Sequence, residues 1–242
     1  MIRILIPVYN EELNIERCVV EIHRVFLKLP HKFYLVNDGS RDGTEKIIVR
    51  LERSLPIVQL MHQENLGVAG AFKTGLSRIV RDAGDRDLVV VMEADGTSTP
   101  QLLTEMITRI ESGFDIVIAS RYGPRGRYVR FPLRRVILSR SANWLLGRFF
   151  GFPGVRDYTI FYRMYRASLL KRVADKFGED LLKTGLYTAN TELLVKCMEF
   201  QPRVTEVGFV YDYSKKRGPS NMKIMKNIWQ YLRLLKIYKL AV

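Results

Sequence analysis

Residues 89–97 read Val-Val-Val-Met-Glu-Ala-Asp-Gly-Thr, an apolar run that ends in two carboxylates, Glu93 and Asp95, spaced i, i+2. On an extended chain that spacing puts both side chains on one face, and the bend after the run presents them to solvent. Hard oxygen ligands suit Mg2+ or Mn2+, ions that complete an octahedron with water and substrate phosphates. The chemistry implied is a divalent metal held against a diphosphate. The same residues could equally open an ordinary acidic loop, and the motif alone does not decide between the two.

The elements around this pair alternate. Strands are predicted over 2–8, 33–36, 57–61, 88–92 and 115–120, each a short apolar run. Helices are predicted between them: Glu11 to Leu29 with Leu13, Cys18, Val19, Ile22 and Phe26 on one face, Gly43 to Arg53 capped by Ser40 or Asp42, Gly67 to Ala83, and Pro100 to Gly113. A βαβαβαβαβ order predicts a mostly parallel sheet with helices on both faces. Ligands of such sheets bind beyond the carboxyl ends of the strands. The polar clusters fall there: Tyr9-Asn10-Glu11, Asn37-Asp38-Gly39-Ser40, Glu93-Ala94-Asp95 and Ser120-Arg121-Tyr122.

At 242 residues the chain fits one large α/β domain or one domain with an appendage. Its formal net charge of +14 implies an anionic partner: nucleic acid, a phosphorylated ligand or a membrane surface. Cys18 and Cys197 stand far apart in helix-like segments and are expected to be buried, reduced thiols. His23, His31 and His62 are scattered, and no Cys/His spacing suggests zinc. The first residues are too short an apolar run for a signal peptide. No stretch approaches the ~20 uncharged apolar residues that span a bilayer.

The charge is concentrated. Between Asp115 and Asp157 there is no acidic residue but nine arginines, interleaved with Phe131, Ile137, Leu138, Trp144, Leu145, Phe149 and Phe150. An amphipathic helix over about 131–150, lying in a membrane interface, is expected; a helix packed on the domain with a solvated arginine face is the alternative. After Asp212 there are again no acids, and eight Lys and Arg accompany Trp229, Leu232, Leu235 and Tyr238. A second basic amphipathic helix is expected from about Asn221, suited to anionic headgroups. No nucleic-acid-binding module is visible, so nucleic acid is not expected as a partner.

Other candidates are weaker singly. Asp38 could accept hydrogen bonds from a ribose or base, or simply belong to a turn. Gly67, Gly70 and Gly75 could let a helix approach phosphates, although they match no established fingerprint. Arg121 could neutralise a leaving diphosphate or sit in a surface salt bridge. Lys216-Arg217-Gly218-Pro219-Ser220 could close over a phosphate or be a solvated charge run.

Together these segments resemble inverting family-two glycosyltransferases with a GT-A-type fold, and within them the polyprenyl-phosphate (dolichol-phosphate) mannose synthases. The likeness is carried by Ile6-Pro7-Val8-Tyr9-Asn10-Glu11, Val36 to Thr44, Asn65-Leu66-Gly67, Glu93-Ala94-Asp95, Ala119-Ser120-Arg121-Tyr122, Arg134-Arg135, Arg156-Asp157 and Arg217 to Ser220. The resemblance implies that Pro7, Tyr9, Glu11 and Asp38 hold the nucleoside of a nucleotide-sugar. It implies that Asp95, with Glu93 beside it, is the metal ligand, and that Arg121, Arg134 or Arg135, and Arg217 bind donor and acceptor phosphates. Ser139 falls where a phosphate-binding hydroxyl would lie. Two departures stand out: Glu93 replaces the usual Asp of Asp-x-Asp, and Thr97 stands where a Gln is common.

By the resemblance, the reaction is metal-dependent inverting transfer of a hexose, mannose from GDP-mannose, to a polyprenyl or dolichyl phosphate. A peripheral protein at the cytoplasmic face of the cell membrane would carry it out. Many members have C-terminal transmembrane helices; this chain would rely on its amphipathic helices, or on a separate membrane-anchoring partner. An acceptor that is already a phosphate is ionised near neutrality and needs no strong general base; Glu192 is the base candidate if the acceptor is a hydroxyl. The expected layout is a catalytic domain over 1–212, with the 131–150 helix inserted, and a basic loop and interfacial helix over 213–242. Two alternatives are a transferase using UDP-sugars on a polysaccharide or lipid hydroxyl, and a catalytically weak membrane-binding protein on a transferase fold.

Overall fold

The computed structural model describes residues 1–218 and 224–239. Pro219 and Ser220 of the basic loop, and Asn221 where the last helix is expected to begin, lie outside the described residues. Nine strands and eight α-helices are described. They are β1 (Ile2–Val8), α1 (Ile15–Val25), β2 (His31–Asp38), α2 (Thr44–Glu52), β3 (Ile57–His62), α3 (Gly67–Asp82), β4 (Leu88–Val91), α4 (Leu102–Glu111), β5 (Ile116–Ser120), β6 (Arg127–Val129), α5 (Leu133–Phe150), β7 (Arg163–Arg166), α6 (Ala167–Phe177), α7 (Thr188–Met198), β8 (Val204–Gly208), β9 (Val210–Asp212) and α8 (Ile224–Lys239).

The expected parallel sheet is present, and it is larger than the sequence predicts. Its order is β3-β2-β1-β4-β7-β5-β8. The β1–β2, β1–β4, β2–β3 and β5–β8 pairs are parallel, whereas β7 runs antiparallel between β4 and β5. β6 and β9 form a separate parallel pair. The strands are apolar because both faces are covered, which is why β1, β2, β4 and β5 read as near-continuous hydrophobic runs. Ile4, Leu5, Ile6, Phe33, Leu35, Val90 and Ile118 are all buried.

Register decides where the chain leaves the sheet. Ile2 pairs with both His31 and Leu88, and Val8 pairs with Asn37. The chain therefore emerges from β1, β2 and β4 at one edge, carrying Tyr9, Asp38 and Glu93 to the same place. α1 begins later than expected: Ile15, Cys18, Val19 and Ile22 form its buried face, while Leu13 lies before it and is exposed. Ser40 does not cap α2. Its hydroxyl accepts from the Asn10 amide at 3.0 Å, while Asp42 accepts from the Thr44 and Glu12 amides at 3.0 and 3.3 Å. These bonds tie the loop after β1 to the loop after β2.

The glycines of α3 differ in their surroundings. Gly75 is buried against β1 and β2, and a Cβ there would run into the Leu5 and Val36 side chains. Gly67, at φ +82, opens the helix and lines the cleft described below. Cys18 and Cys197 are buried and unpaired, as expected. Among the described residues no helix is long and apolar enough to cross a membrane.

α5 and α8 differ from simple two-faced helices. α5 packs inward through Asn143 and Leu146, and its outer side carries both Leu133, Ile137 and Trp144 and the exposed Arg134, Arg140 and Arg148. Apolar and basic residues thus share the outward face rather than segregating. α8 packs through Asn227 and Leu234 and leaves Met225, Trp229 and Leu232 exposed beside Lys226, Arg233 and Lys236.

Gly75→Ala tests the closeness of the α3–sheet contact. Overpacking of this kind costs about 1–3 kcal/mol. The expected outcome is a lower urea midpoint at unchanged m-value; an unchanged midpoint would show that α3 shifts without penalty.

Candidate active site at the carboxyl ends of the strands

A cleft of about 730 Å3 opens where β1, β2 and β4 end. Pro7, Tyr9, Glu11, Asp38, Glu93, Asp95, Arg121, Arg135 and Ser139 all line it. The cleft thus gathers nearly every residue singled out from the sequence. Of the site residues that the resemblance implies, two stand apart: Arg134 is exposed on the outer side of α5, and the Arg217 side chain is exposed, its carbonyl accepting from Asn14 Nδ2 at 2.9 Å.

Asp38 ends β2 and is buried. Its Oδ1 accepts the Leu66 amide at 2.9 Å and meets His62 Nδ1 at 2.7 Å. His62 Nε2 lies 2.9 Å from the Thr74 hydroxyl. Because a carboxylate only accepts, Nδ1 carries the proton in this arrangement. His62 is the side chain that locks Asp38, a role its isolated position in the sequence does not betray.

Asp95 is held on both oxygens. Oδ1 accepts from the Thr97 amide and hydroxyl at 3.0 and 2.6 Å, and Oδ2 accepts from Lys216 Nζ at 3.0 Å. Gly96, at φ +77, makes the turn, and a Cβ there would meet the Arg17 guanidinium. Thr97, the departure noted above, thereby fixes the Asp95 side chain. Glu11 joins the group: its Oε2 accepts from Asn14 Nδ2 at 2.7 Å, and its Oε1 lies 3.9 Å from Lys216 Nζ.

Three carboxylates in so small a space alter their own chemistry. Burial, reinforced by the charge of Asp95, pushes Glu93 up to about 8. Burial also raises Glu11, against the opposing pull of Asn14 and Lys216. Burial alone would lower the Lys216 ammonium, but Asp95 and Glu11 raise it. Among the described residues no group of three or more His, Cys, Asp or Glu could by itself hold a metal ion. A two-carboxylate set fits Mg2+ or Mn2+, which take remaining ligands from phosphate and water. Glu93 and Asp95 are the residues that would hold it.

The arginine side of the cleft is rigid. Arg121 donates from Nε and Nη2 to Asp157 at 2.8 and 2.6 Å and from Nη2 to Thr159 at 2.7 Å. Asp157 is fully buried and also accepts the Arg121, Thr159 and Ile160 amides. Burial would raise its pKa, yet Arg121 and these bonds hold it below the usual carboxylate range. The surface-salt-bridge reading of Arg121 does not apply. Its guanidinium lies over Tyr122 and Tyr128, 5.6 and 5.3 Å from the ring centroids. Both tyrosine hydroxyls donate to Ser139 Oγ at 2.8 Å. Arg135 donates to the Tyr213 hydroxyl at 3.2 Å.

The rest of the lining comes from places the sequence does not advertise. Leu186, at φ +56, and Tyr187 enter the cleft from the loop before α7. Tyr211, Asn227, Ile228 and Tyr231 complete one wall. The loop is anchored by Glu192, which is fully buried and accepts from the Lys183 and Thr184 amides, the Thr184 hydroxyl and Lys196 Nζ, all within 3.0 Å. A carboxylate so saturated cannot reach an acceptor, which removes Glu192 as a general base.

The raised Glu93 carboxyl has a measurable consequence. The folded chain keeps that proton while the unfolded chain releases it, so stability falls as pH rises between about 4.5 and about 8. In EDTA, the melting temperature of wild-type protein is expected to decline across that window, and Glu93→Gln to flatten the decline. An identical slope in the variant would assign it to another group.

Residues 3–174 match the family model for glycosyl transferase family 2. The chain is 33% identical over 172 residues to a polyprenol monophosphomannose synthase of Mycolicibacterium smegmatis, covering 70% of this chain and 63% of that protein. It is 30% identical over 239 residues to a dolichol-phosphate mannosyltransferase of Pyrococcus furiosus, covering 99% of this chain and 63% of that protein. An undecaprenyl-phosphate mannosyltransferase of Micrococcus luteus is 28% identical over 224 residues, covering 90% and 86%. The chain thus spans 63% of the length of the first two relatives. A crystal structure of glucosyl-3-phosphoglycerate synthase from Mycobacterium tuberculosis, with Mn2+, UDP and phosphoglyceric acid, superposes with a TM-score of 0.67 at 16% identity, covering 96% of this chain and 75% of that one. That likeness concerns the fold, which is of the GT-A type expected. With its sheet, its carboxylate-lined cleft and a family match over most of its length, the chain belongs to glycosyl transferase family 2.

Proposed function

We propose that this protein transfers mannose from GDP-mannose, with inversion, to a polyprenyl or dolichyl phosphate at a membrane surface. The observation that carries the reading is the two-sided cleft. Its floor at the strand ends is acidic and polar, with Tyr9, Glu11, Asp38, Glu93 and Asp95. Its far side offers Arg121, Arg135 and Ser139, and then turns apolar through Phe131, Leu138 and Ala142 of the α5 region and Ile228 and Tyr231 of α8. A nucleotide-sugar diphosphate suits the first part, and a phosphate carrying an isoprenoid chain suits the second. The names of the relatives point the same way.

Each residue then has a task. Asp38, fixed by His62 and the Leu66 amide, takes hydrogen bonds from the nucleoside, with Pro7, Tyr9 and Glu11 around it. Asp95 and Glu93 present carboxylate oxygens to Mg2+ or Mn2+. The cation supplies positive charge to a diphosphate leaving group in a reaction whose transition state is oxocarbenium-like. Arg121 adds a fixed positive field because Asp157 prevents it from moving. Arg135 and the Ser139 hydroxyl, the latter oriented by two tyrosines, hold the acceptor phosphate for in-line attack. An ionised phosphate is its own nucleophile, consistent with the removal of Glu192 as a base. Arg217 would join the acceptor phosphate from the basic loop.

The membrane part rests on exposure. Trp144 and Trp229 are 72% and 69% exposed, amid the basic residues of α5 and α8. Aromatic and aliphatic groups among arginines and lysines suit an anionic interface. We place the protein peripherally on the cytoplasmic face, where a separate anchoring protein could also hold it.

Two measurements test this. In detergent, with a short polyprenyl phosphate and Mn2+, label from GDP-mannose should enter the lipid, UDP-glucose and UDP-N-acetylglucosamine should not, and EDTA should abolish transfer. Asp95→Asn should lower the rate by about a hundredfold or more. Donor hydrolysis without labelled lipid would sink the acceptor assignment. Trp144→Ser combined with Trp229→Ser should weaken cosedimentation with anionic liposomes by about tenfold; equal binding would remove the interfacial role of these helices.

A further inference from the structure

The carboxylates after β4 are met by a cation that belongs to the chain itself. Lys216 Nζ lies 3.0 Å from Asp95 Oδ2 and 3.9 Å from Glu11 Oε1, with only 12% of its side chain exposed. Asp95 Oδ1 is already engaged by Thr97. Oδ2 is therefore the oxygen best placed to serve a divalent ion, and it is the oxygen Lys216 holds. An ammonium and a divalent cation drawn to one carboxylate oxygen repel each other strongly in a partly buried setting.

The segment that carries Lys216 is docked on α1 by few bonds. Arg17 donates to the Lys215 carbonyl and Asn14 Nδ2 to the Arg217 carbonyl, each at 2.9 Å. Lys215 Nζ reaches the Thr99 hydroxyl at 3.5 Å. The turn before it is closed locally by Asp212, which accepts from the Ser214 amide and hydroxyl at 3.0 and 2.7 Å. Such a segment can leave α1 without disturbing the sheet. It also carries Arg217, so its position couples the carboxylates to a residue assigned above to the acceptor phosphate.

We propose that Lys216 is a built-in competitor for the divalent cation: it neutralises Asp95 and Glu11 until a metal arrives, and metal binding displaces it and undocks the segment around residues 215–217 from α1. The proposal rests on the reading of Glu93 and Asp95 as the metal ligands. Metal entry and the freeing of Lys216 and Arg217 are then one event, so the acceptor side of the site is set only after the metal is in place. Because Lys216 occupies Asp95 at a cost to the incoming ion, the bare protein binds metal weakly.

The test is Mn2+ binding by electron paramagnetic resonance, without nucleotide, on the full chain. Lys216→Met is expected to bind Mn2+ about tenfold more tightly than wild type, and Lys216→Arg to resemble wild type. Arg17→Ala, which loosens the tether and leaves all three carboxylates intact, should tighten binding in the same direction by a smaller factor, and it serves if Lys216→Met does not fold. A fluorophore on Ser214→Cys, an exposed position, should gain mobility when Mn2+ is added. Unchanged or weaker Mn2+ binding in Lys216→Met and Arg17→Ala, or a label that Mn2+ leaves immobile, would overturn the proposal. If wild-type protein and Asp95→Asn bind Mn2+ equally even with GDP present, the metal-site reading itself fails, a result distinct from failure of the latch.

Discussion

Three carboxylates that repel one another are forced together by the way the sheet is wound. β1 and β4 are parallel neighbours in register, so the loops after them deliver Glu11, Glu93 and Asp95 to one edge. Burial first, and then this convergence, raises Glu93 and Glu11, and the local charge is offset in part by a cation brought from far along the chain. Lys216, 121 positions away from Asp95, is that cation among the described residues. The acidic floor and the docking of the 213–217 segment beside α1 both follow from this one crowding, and it is what would make the site receptive to the proposed divalent cation.

The opposite side of the cleft solves the inverse problem. Nine arginines in a stretch without acids would repel one another if all faced inward. Only Arg121 is deeply buried there, and it is matched by Asp157, with four further hydrogen bonds to that carboxylate and to Thr159 fixing the corner. Breaking such a pair costs about 3–5 kcal/mol because one charge is left buried alone. Arg121 is therefore held in place rather than free to act as a mobile clamp. Arg134, next to Arg135 in sequence, is turned away by helical spacing alone.

The parts legible in the sequence were those set by local pattern. The five apolar runs became strands because burial on both faces requires an unbroken hydrophobic segment, and the polar clusters at their ends became the cleft floor. β7 was not legible: Arg163-Met-Tyr-Arg166 has charged ends, and its buried Arg163 is tolerated because its guanidinium donates to the Tyr158 and Asn190 carbonyls. β6 and β9 are three residues each and carry no periodicity to read. Within the site, Asp95 and Asp38 could be found by position after a strand, whereas Lys216 and Asp157 act through pairings that no window of sequence contains. Gly75 lies mid-helix in α3, where its small size serves packing on β1 and β2, which a small-residue pattern in the sequence does not distinguish from approach to a phosphate.

The helices bear on how one cleft would serve both a charged donor and an apolar acceptor under the proposed function. α5 and α8 contact each other, and each turns some side chains to the cleft and others outward. Phe131 and Leu138, near the start of α5, line the site, while Leu133, Ile137 and Trp144 face away beside Arg134, Arg140 and Arg148. Isolated exposed apolar residues are ordinary on a protein surface, but a run of large ones on two neighbouring helices is a patch. Mixing arginines into that patch suits neither a protein core nor a fully solvated face; it suits a boundary where apolar rings lie in an acyl layer and guanidinium groups lie among phosphates. An isoprenoid chain leaving the cleft between α5 and α8 would pass from Phe131, Leu138 and Ile228 to that boundary without crossing water. Under the proposed function the same two helices would form both the wall of the site and the contact with the membrane, tying acceptor access to how the protein sits on the lipid.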